Sequence, residues 1–207
     1  MIDRGLAIAP ATPTVQAAAS WTSPAGWSIG LSGGAELRSP GRVTETLVHG
    51  SRYWPLSSDW QMQASLLYYR YSGIAGSTAY DRGEAGVAWL YRDILTIDLS
   101  AVRLIGAREQ RLRAAADLDV HWPLTEHLSL SAGAGVAHLP PSPHGYGNPY
   151  RYDHDQGTLY HYGHGGLMWG NGPWRLELDR VMTDLGSRRS TEYVRTAPWM
   201  ATISRSF

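Results

Sequence analysis

Two short runs place ionisable side chains at the spacing that puts them on one side of an extended chain. Asp117, Asp119 and His121 form one, and Arg175, Glu177 and Asp179 form the other. Carboxylates grouped beside an imidazole are the equipment of general acid–base work, but they also occur in polar interiors where opposite charges neutralise each other. Glu36, Arg38, Arg82, Glu84, Asp98 and Arg113 fall on the same kind of alternation. An isolated buried charge costs several kcal/mol, so such a set must be paired or watered. The default reading is a plug of Arg–carboxylate pairs, ahead of a charged constriction that selects solutes and of an acid/base site.

His138, His144, His154, His161 and His164, together with Asp153 and Asp155, crowd one later stretch. Imidazole with carboxylate suits Zn or Cu. Residues three apart on a strand point to opposite faces, however, so His161 and His164 do not form a chelate by themselves. No serine-nucleophile motif or phosphate-binding glycine loop is present, and there are no cysteines. The expectation is therefore no enzyme, no catalytic residue, no metal and no cofactor.

The bulk composition narrows the classes further. The 207 residues carry a formal net charge of +0, and all 18 basic residues are Arg, which removes the basic excess that nucleic-acid binding needs. Mean hydropathy is −0.29, and no apolar run approaches the roughly 18 residues of a membrane helix. A chain that hides its apolar half by alternating it with polar residues has this hydropathy too, and that is how a transmembrane barrel reads.

The alternation is pervasive. Trp27, Ile29, Leu31, Ala35 and Leu37 oppose Ser28, Gly30, Ser32, Glu36 and Arg38, and comparable segments follow at 42–54, 60–72, 80–91, 95–101, 112–122, 128–138, 158–169, 174–182 and 199–207. Segment 158–169 is the least regular, because Tyr160, Tyr162 and Met168 oppose Leu159, Leu167 and Trp169, which suggests a bulge. Trp54-Pro-Leu-Ser-Ser-Asp59 and Trp122-Pro-Leu-Thr-Glu-His127 read as one turn type used twice. Residues 140–157, rich in Pro, Gly, Tyr and His, read as the longest loop.

Connections after the second, fourth, sixth and eighth segments are short, while those after the odd-numbered segments include every longer one. Trp27, Trp54, Trp60, Trp89, Trp122, Trp169 and Trp174 gather at the ends next to the short ones. Tyr68, Tyr69, Tyr71, Tyr80, Tyr160, Tyr162 and Trp199 fall near the other ends. Aromatic rings favour the two boundaries of a membrane. The fold expected is all-β: an antiparallel up-and-down transmembrane β-barrel over residues 25–207, of about ten strands with both termini periplasmic. Residues 1–24 read as a disordered tail or signal remnant outside the fold. The last strand puts Trp199, Ala201, Ile203 and Phe207 on one face against Thr202, Ser204 and Ser206, and ends on the only phenylalanine in the chain.

The Ser-Arg-Ser-Phe207 ending, the two Trp-Pro-Leu turns and the run from Arg175 to Asp184 resemble the proteobacterial TorF-family porins, over residues 27–207. Where that family carries an aromatic and an Arg-Gly pair at the end of the first strand, this chain has Glu36-Leu-Arg-Ser-Pro-Gly41. The resemblance implies a pore-type role and supplies no catalytic residues. The expected function is a narrow porin-like channel for small hydrophilic solutes in the bacterial outer membrane. Its lining would be Arg38, Arg82, Glu84, Asp98, Arg113, Asp117, Asp119, His121, Arg175, Glu177 and Asp179, with inward glycines and serines leaving space. Its partners would be outer-membrane lipid and the barrel-assembly machinery, which reads Trp199, Ile203 and Phe207. The alternative is a non-conducting structural or surface-interaction barrel, with a barrel enzyme ranking behind both.

Overall fold

The computed structural model of the protein describes residues 2–4, 6–7, 13–72, 81–105, 111–138, 159–184 and 199–206. All regular structure among them is β. The strands are β1 (Ile2–Asp3), β2 (Leu6–Ala7), β3 (Thr14–Thr22), β4 (Trp27–Glu36), β5 (Ser39–Pro55), β6 (Trp60–Tyr71), β7 (Arg82–Tyr91), β8 (Leu95–Leu104), β9 (Leu112–Pro123), β10 (Leu128–His138), β11 (Leu159–Asn171), β12 (Trp174–Thr183) and β13 (Trp199–Arg205). β1 and β2 form a separate small hairpin, while β3 to β13 form one eleven-stranded sheet in strict chain order, every neighbour antiparallel. A hydrogen-bonded seam between β3 and β13 is not among the pairings of the described residues.

β3 corrects the sequence reading, which put residues 1–24 outside the fold. It pairs with β4 along its whole length, from Thr14 opposite Glu36 to Thr22 opposite Ser28. Alanine at 17, 18 and 19 occupies both faces of this strand and erases the alternation that marks the others. The sheet thus has eleven strands where ten were expected. It begins beside Glu36 at one rim and ends with Arg205 beside Trp174 at the other, whereas an even count would bring both ends to one side.

The turns at 23–26, 56–59, 92–94, 124–127 and 172–173 share one rim, and the two-residue turn at 37–38 lies on the other, together with the strand ends at Tyr71, Leu104, His138 and Thr183, as the parity of the strands requires. The two Trp-Pro turns are the same object. The amides of Leu56 and Ser57 both donate to the Trp60 carbonyl, and those of Leu124 and Thr125 both donate to that of Leu128. The Ser57 hydroxyl accepts from the amides of Asp59 and Trp60, and the Thr125 hydroxyl accepts from those of His127 and Leu128. In the 23–26 turn Gly26 has φ +83, and a side chain there would meet the Tyr53 carbonyl oxygen at 2.7 Å.

The bulge expected in residues 158–169 is absent: β10 and β11 stay in register from Leu128 opposite Trp169 to His138 opposite Leu159. The register shifts instead between β4 and β5, where Thr44 is left over between Glu45 opposite Gly34 and Val43 opposite Ala35. The Thr44 hydroxyl donates to the Gly34 carbonyl at 3.1 Å and holds the extra residue in place.

Polarity across the sheet runs opposite to that of a water-soluble protein. Ile29, Leu31, Leu66, Leu99, Leu118, Leu130, Leu167, Leu178 and Ile203 are exposed on the outer face. Ser28, Ser51, Arg82, Ser100 and Asp179 are buried on the inner one. A soluble monomer rarely shows a contiguous apolar patch beyond several hundred Å². An outward apolar band over a polar interior is the arrangement that hydrocarbon stabilises.

Candidate functional site

The chemistry-bearing residues converge on the inner face of β7 to β12. β7 contributes Arg82 and Glu84, β8 contributes Asp98 and Ser100, and β9 contributes Arg113, Asp117, Asp119 and His121. β12 adds Arg175, Glu177 and Asp179. Each set alternates with outward residues such as Ala85, Leu99, Leu118 and Leu178, so the period of two alone assigns the side. Asp117, Asp119, Glu177 and Asp179, expected on one face from spacing, line one cavity of about 260 Å³ together with Tyr162, His164, Val181 and Met200.

Glycine on the intervening strands makes this convergence possible. Asp117 on β9 and Tyr162 on β11 both sit opposite Gly135 of β10, and the Tyr162 hydroxyl reaches over it to donate to the Asp117 carboxylate. Asp119 and His164 meet in the same way over Gly133, with Nε2 to Oδ1 at 3.7 Å. Asp179 lies over Gly166 of β11 and accepts a 3.1 Å hydrogen bond from the Ser131 hydroxyl of β10. At the far side of the sheet the His49 imidazole covers Gly30. This overturns the reading of inward glycines as empty space: neighbouring side chains occupy the room they leave.

Neutralisation is visible, with one participant that the sequence did not suggest. Arg82 Nε lies 3.7 Å from the Glu84 carboxylate, and its guanidinium stacks over Tyr69 at 4.2 Å and Tyr71 at 5.9 Å. Arg4, at the turn of the β1–β2 hairpin, ion-pairs with Glu84, donates to the Ser100 hydroxyl at 2.9 Å and approaches Asp117 at 3.6 Å.

Two groups of expectations are repositioned. Arg38 lies in the exposed turn between β4 and β5 at the rim, so it does not belong with the inner-face charges. Tyr71, Tyr160 and Tyr162 belong to the interior and not to an outer aromatic ring: Tyr71 and Tyr160 are each only 2% exposed, and Tyr160 packs on Tyr162 with ring centroids 5.5 Å apart. For Tyr160 and Tyr162, parity with His164 and Met168 along β11 was the signal available for this. Tyr68, by contrast, does face outward.

His161 and His164 point to opposite sides, as spacing requires. His161 is exposed and donates from Nδ1 to Asp184 at 2.8 Å, while His164 faces the interior. His144, His154, Asp153, Asp155, Tyr80 and Phe207 lie outside the described residues, as does the loop at 140–157. Trp199 and Ile203 are exposed on the outer face of β13. At the short-turn rim the outward Arg52 guanidinium sits 5.0 Å from the centroids of both Trp27 and Trp54.

No family model and no curated protein sequence matches the chain. Among solved structures it is similar to the NanC porin, with a TM-score of 0.61 over 94% of this chain and 93% of that one, at 10% sequence identity. At that identity the likeness concerns the fold. The chain is an all-β, antiparallel, up-and-down sheet of porin-like fold.

Proposed function

We propose that the protein is an outer-membrane β-barrel that passes small hydrophilic solutes through a narrow charged lumen. The observation that carries this is the inversion of polarity over the whole meander: isolated leucines and isoleucines outward, and Arg82, Glu84, Asp98, Arg113, Asp117, Asp119, Glu177 and Asp179 inward. Porin-like fold and resemblance to TorF-family porins support the same role, and tryptophans at the short-turn rim support a membrane boundary there. In this reading the short turns face the periplasm, lipid contacts the outer face, and the assembly machinery engages Trp199, Ile203 and Phe207.

The lumen sorts solutes by charge. Carboxylates from β9 and β12 face a shared cavity that Arg4 also borders, so a passing ion meets fixed charges of both signs at close range. Single-channel recording of the refolded protein in a planar bilayer tests this. Conductance is expected, with Asp117→Ala and Arg113→Ala shifting ion selectivity in opposite directions. Folded protein that never conducts overturns the channel.

A second reading, a non-conducting barrel that acts through its surface, is favoured by one observation: the room over Gly30, Gly133, Gly135 and Gly166 is already filled by side chains. Silent bilayers would move the function to that reading.

A further inference from the structure

The group least explained by a passive channel is Arg4. It belongs to a two-strand hairpin that takes no part in the large sheet, in which Ile2 pairs with Ala7 and Asp3 with Leu6. The hairpin turns at Arg4, whose φ is +45, a left-handed conformation that costs an ordinary residue about 1 kcal/mol. From that turn its guanidinium reaches three strands of the inner face: the Glu84 carboxylate on β7, the Ser100 hydroxyl on β8 and the Asp117 carboxylate on β9. The side chain is only 16% exposed and also borders the cavity lined by Asp119, His164 and Asp179.

A guanidinium held by two carboxylates and a hydroxyl, all in a sheltered site, is bound by strong charge-assisted hydrogen bonds. The contacts are also non-local, since Arg4 lies 80 residues from Glu84 in sequence. They tie the hairpin to the wall at its tip.

Resting on the channel reading above, we propose that the β1–β2 hairpin is a tethered plug, with Arg4 as the latch that holds it in the lumen against Glu84 and Asp117. Seated, the hairpin adds backbone to the lumen and covers the carboxylates with a cation. Released, it opens the path and leaves those carboxylates facing water, so the open state favours cations over anions. Protonation, high salt or a solute bearing its own guanidinium or ammonium group acts on the same contacts and favours release.

The test has one arm that needs no current. Trypsin added to the folded protein in detergent cannot reach a peptide bond inside the lumen, so the cut after Arg4, read by intact mass, is expected only after heating. In the Glu84→Gln/Asp117→Asn double variant it is expected without heating. Cutting of the folded wild type as fast as the heated protein overturns the plug, whether or not the protein conducts.

The second arm is bilayer recording. Arg4→Ala and a deletion of residues 2–7 are expected to raise mean conductance at least about twofold and to shift the reversal potential toward cation selectivity, while Arg4→Lys stays near wild type. A protected Arg4 with conductance and selectivity unchanged in Arg4→Ala overturns the plug and leaves the channel standing. A protected Arg4 with no current from any variant overturns the channel and the plug's role in it together.

Discussion

Tyr162 on β11 hydrogen-bonds Asp117 on β9 across an intervening strand, because Gly135 between them has no side chain. Inner-face glycine here works as a saddle. It lowers one strand so that the two flanking strands exchange a polar contact above it, and a methyl group at 135 would stand 2.6 Å from the Asp117 carboxylate oxygen.

Gly135→Ala therefore forces Tyr162 and Asp117 apart. A destabilisation of about 1–3 kcal/mol is expected, the usual cost of overfilling a packed site. At Gly83 on the same sheet an added methyl group would meet nothing within 4 Å, so Gly83→Ala should be near neutral. Urea unfolding of both variants in micelles, followed by tryptophan fluorescence, checks the contrast; equal effects would remove the saddle role.

Arg52 stands between Trp27 and Trp54 on the outer face of the short-turn rim, 5.0 Å from each ring. Cation–π contact of this kind contributes about 0.5–2 kcal/mol, depending on desolvation. Arg52→Ala should lower the unfolding midpoint and Arg52→Lys should lose less, both with lumenal selectivity unchanged. A selectivity change in Arg52→Ala would mean that the side chain faces inward.

Asp184 accepts from the His161 imidazole and, at 3.0 Å, from its backbone amide. The imidazole hydrogen bond, first among the causes, holds the Asp184 carboxyl below its ordinary value of 3.8. A carboxyl whose folded pKa is depressed stabilises the fold above its unfolded pKa, and that contribution disappears as pH falls through the lower folded value. Both partners are exposed, so the effect is well under about 1 kcal/mol. Asp184→Asn should be slightly less stable than wild type at pH 6, and the gap should close by pH 2. A gap that widens in acid would contradict the assignment.

Strands β4 to β13 were legible because apolar residues on one face and polar residues on the other impose a two-residue period, as in Leu128 to His138, whose bounds match those read from sequence. The Trp-Pro turns were legible for a local reason: Ser57 and Thr125 each cap the amides that follow. β3 was not, because alanine suits either face and so carries no period. Arg4 was not, because its partners lie on β7 to β9 and nothing in the first residues indicates them. The roles of Gly133 and Gly135 depend on which residues stand opposite on two neighbouring strands, and that register is a property of the whole sheet.

The proposed function gives one face of this sheet to lipid and the other to water, and the absence of cysteine from the sequence allows a clean measurement of that proposal. Single cysteines at Leu118, Asp119, Thr202 and Ile203 are treated, in protein reconstituted into lipid vesicles, with a small water-soluble maleimide. Labelling is expected at 119 and 202 and protection at 118 and 203, with all four labelled after unfolding. Labelling of 118 and 203 as readily as 119 and 202 in the folded protein would contradict the two-faced barrel.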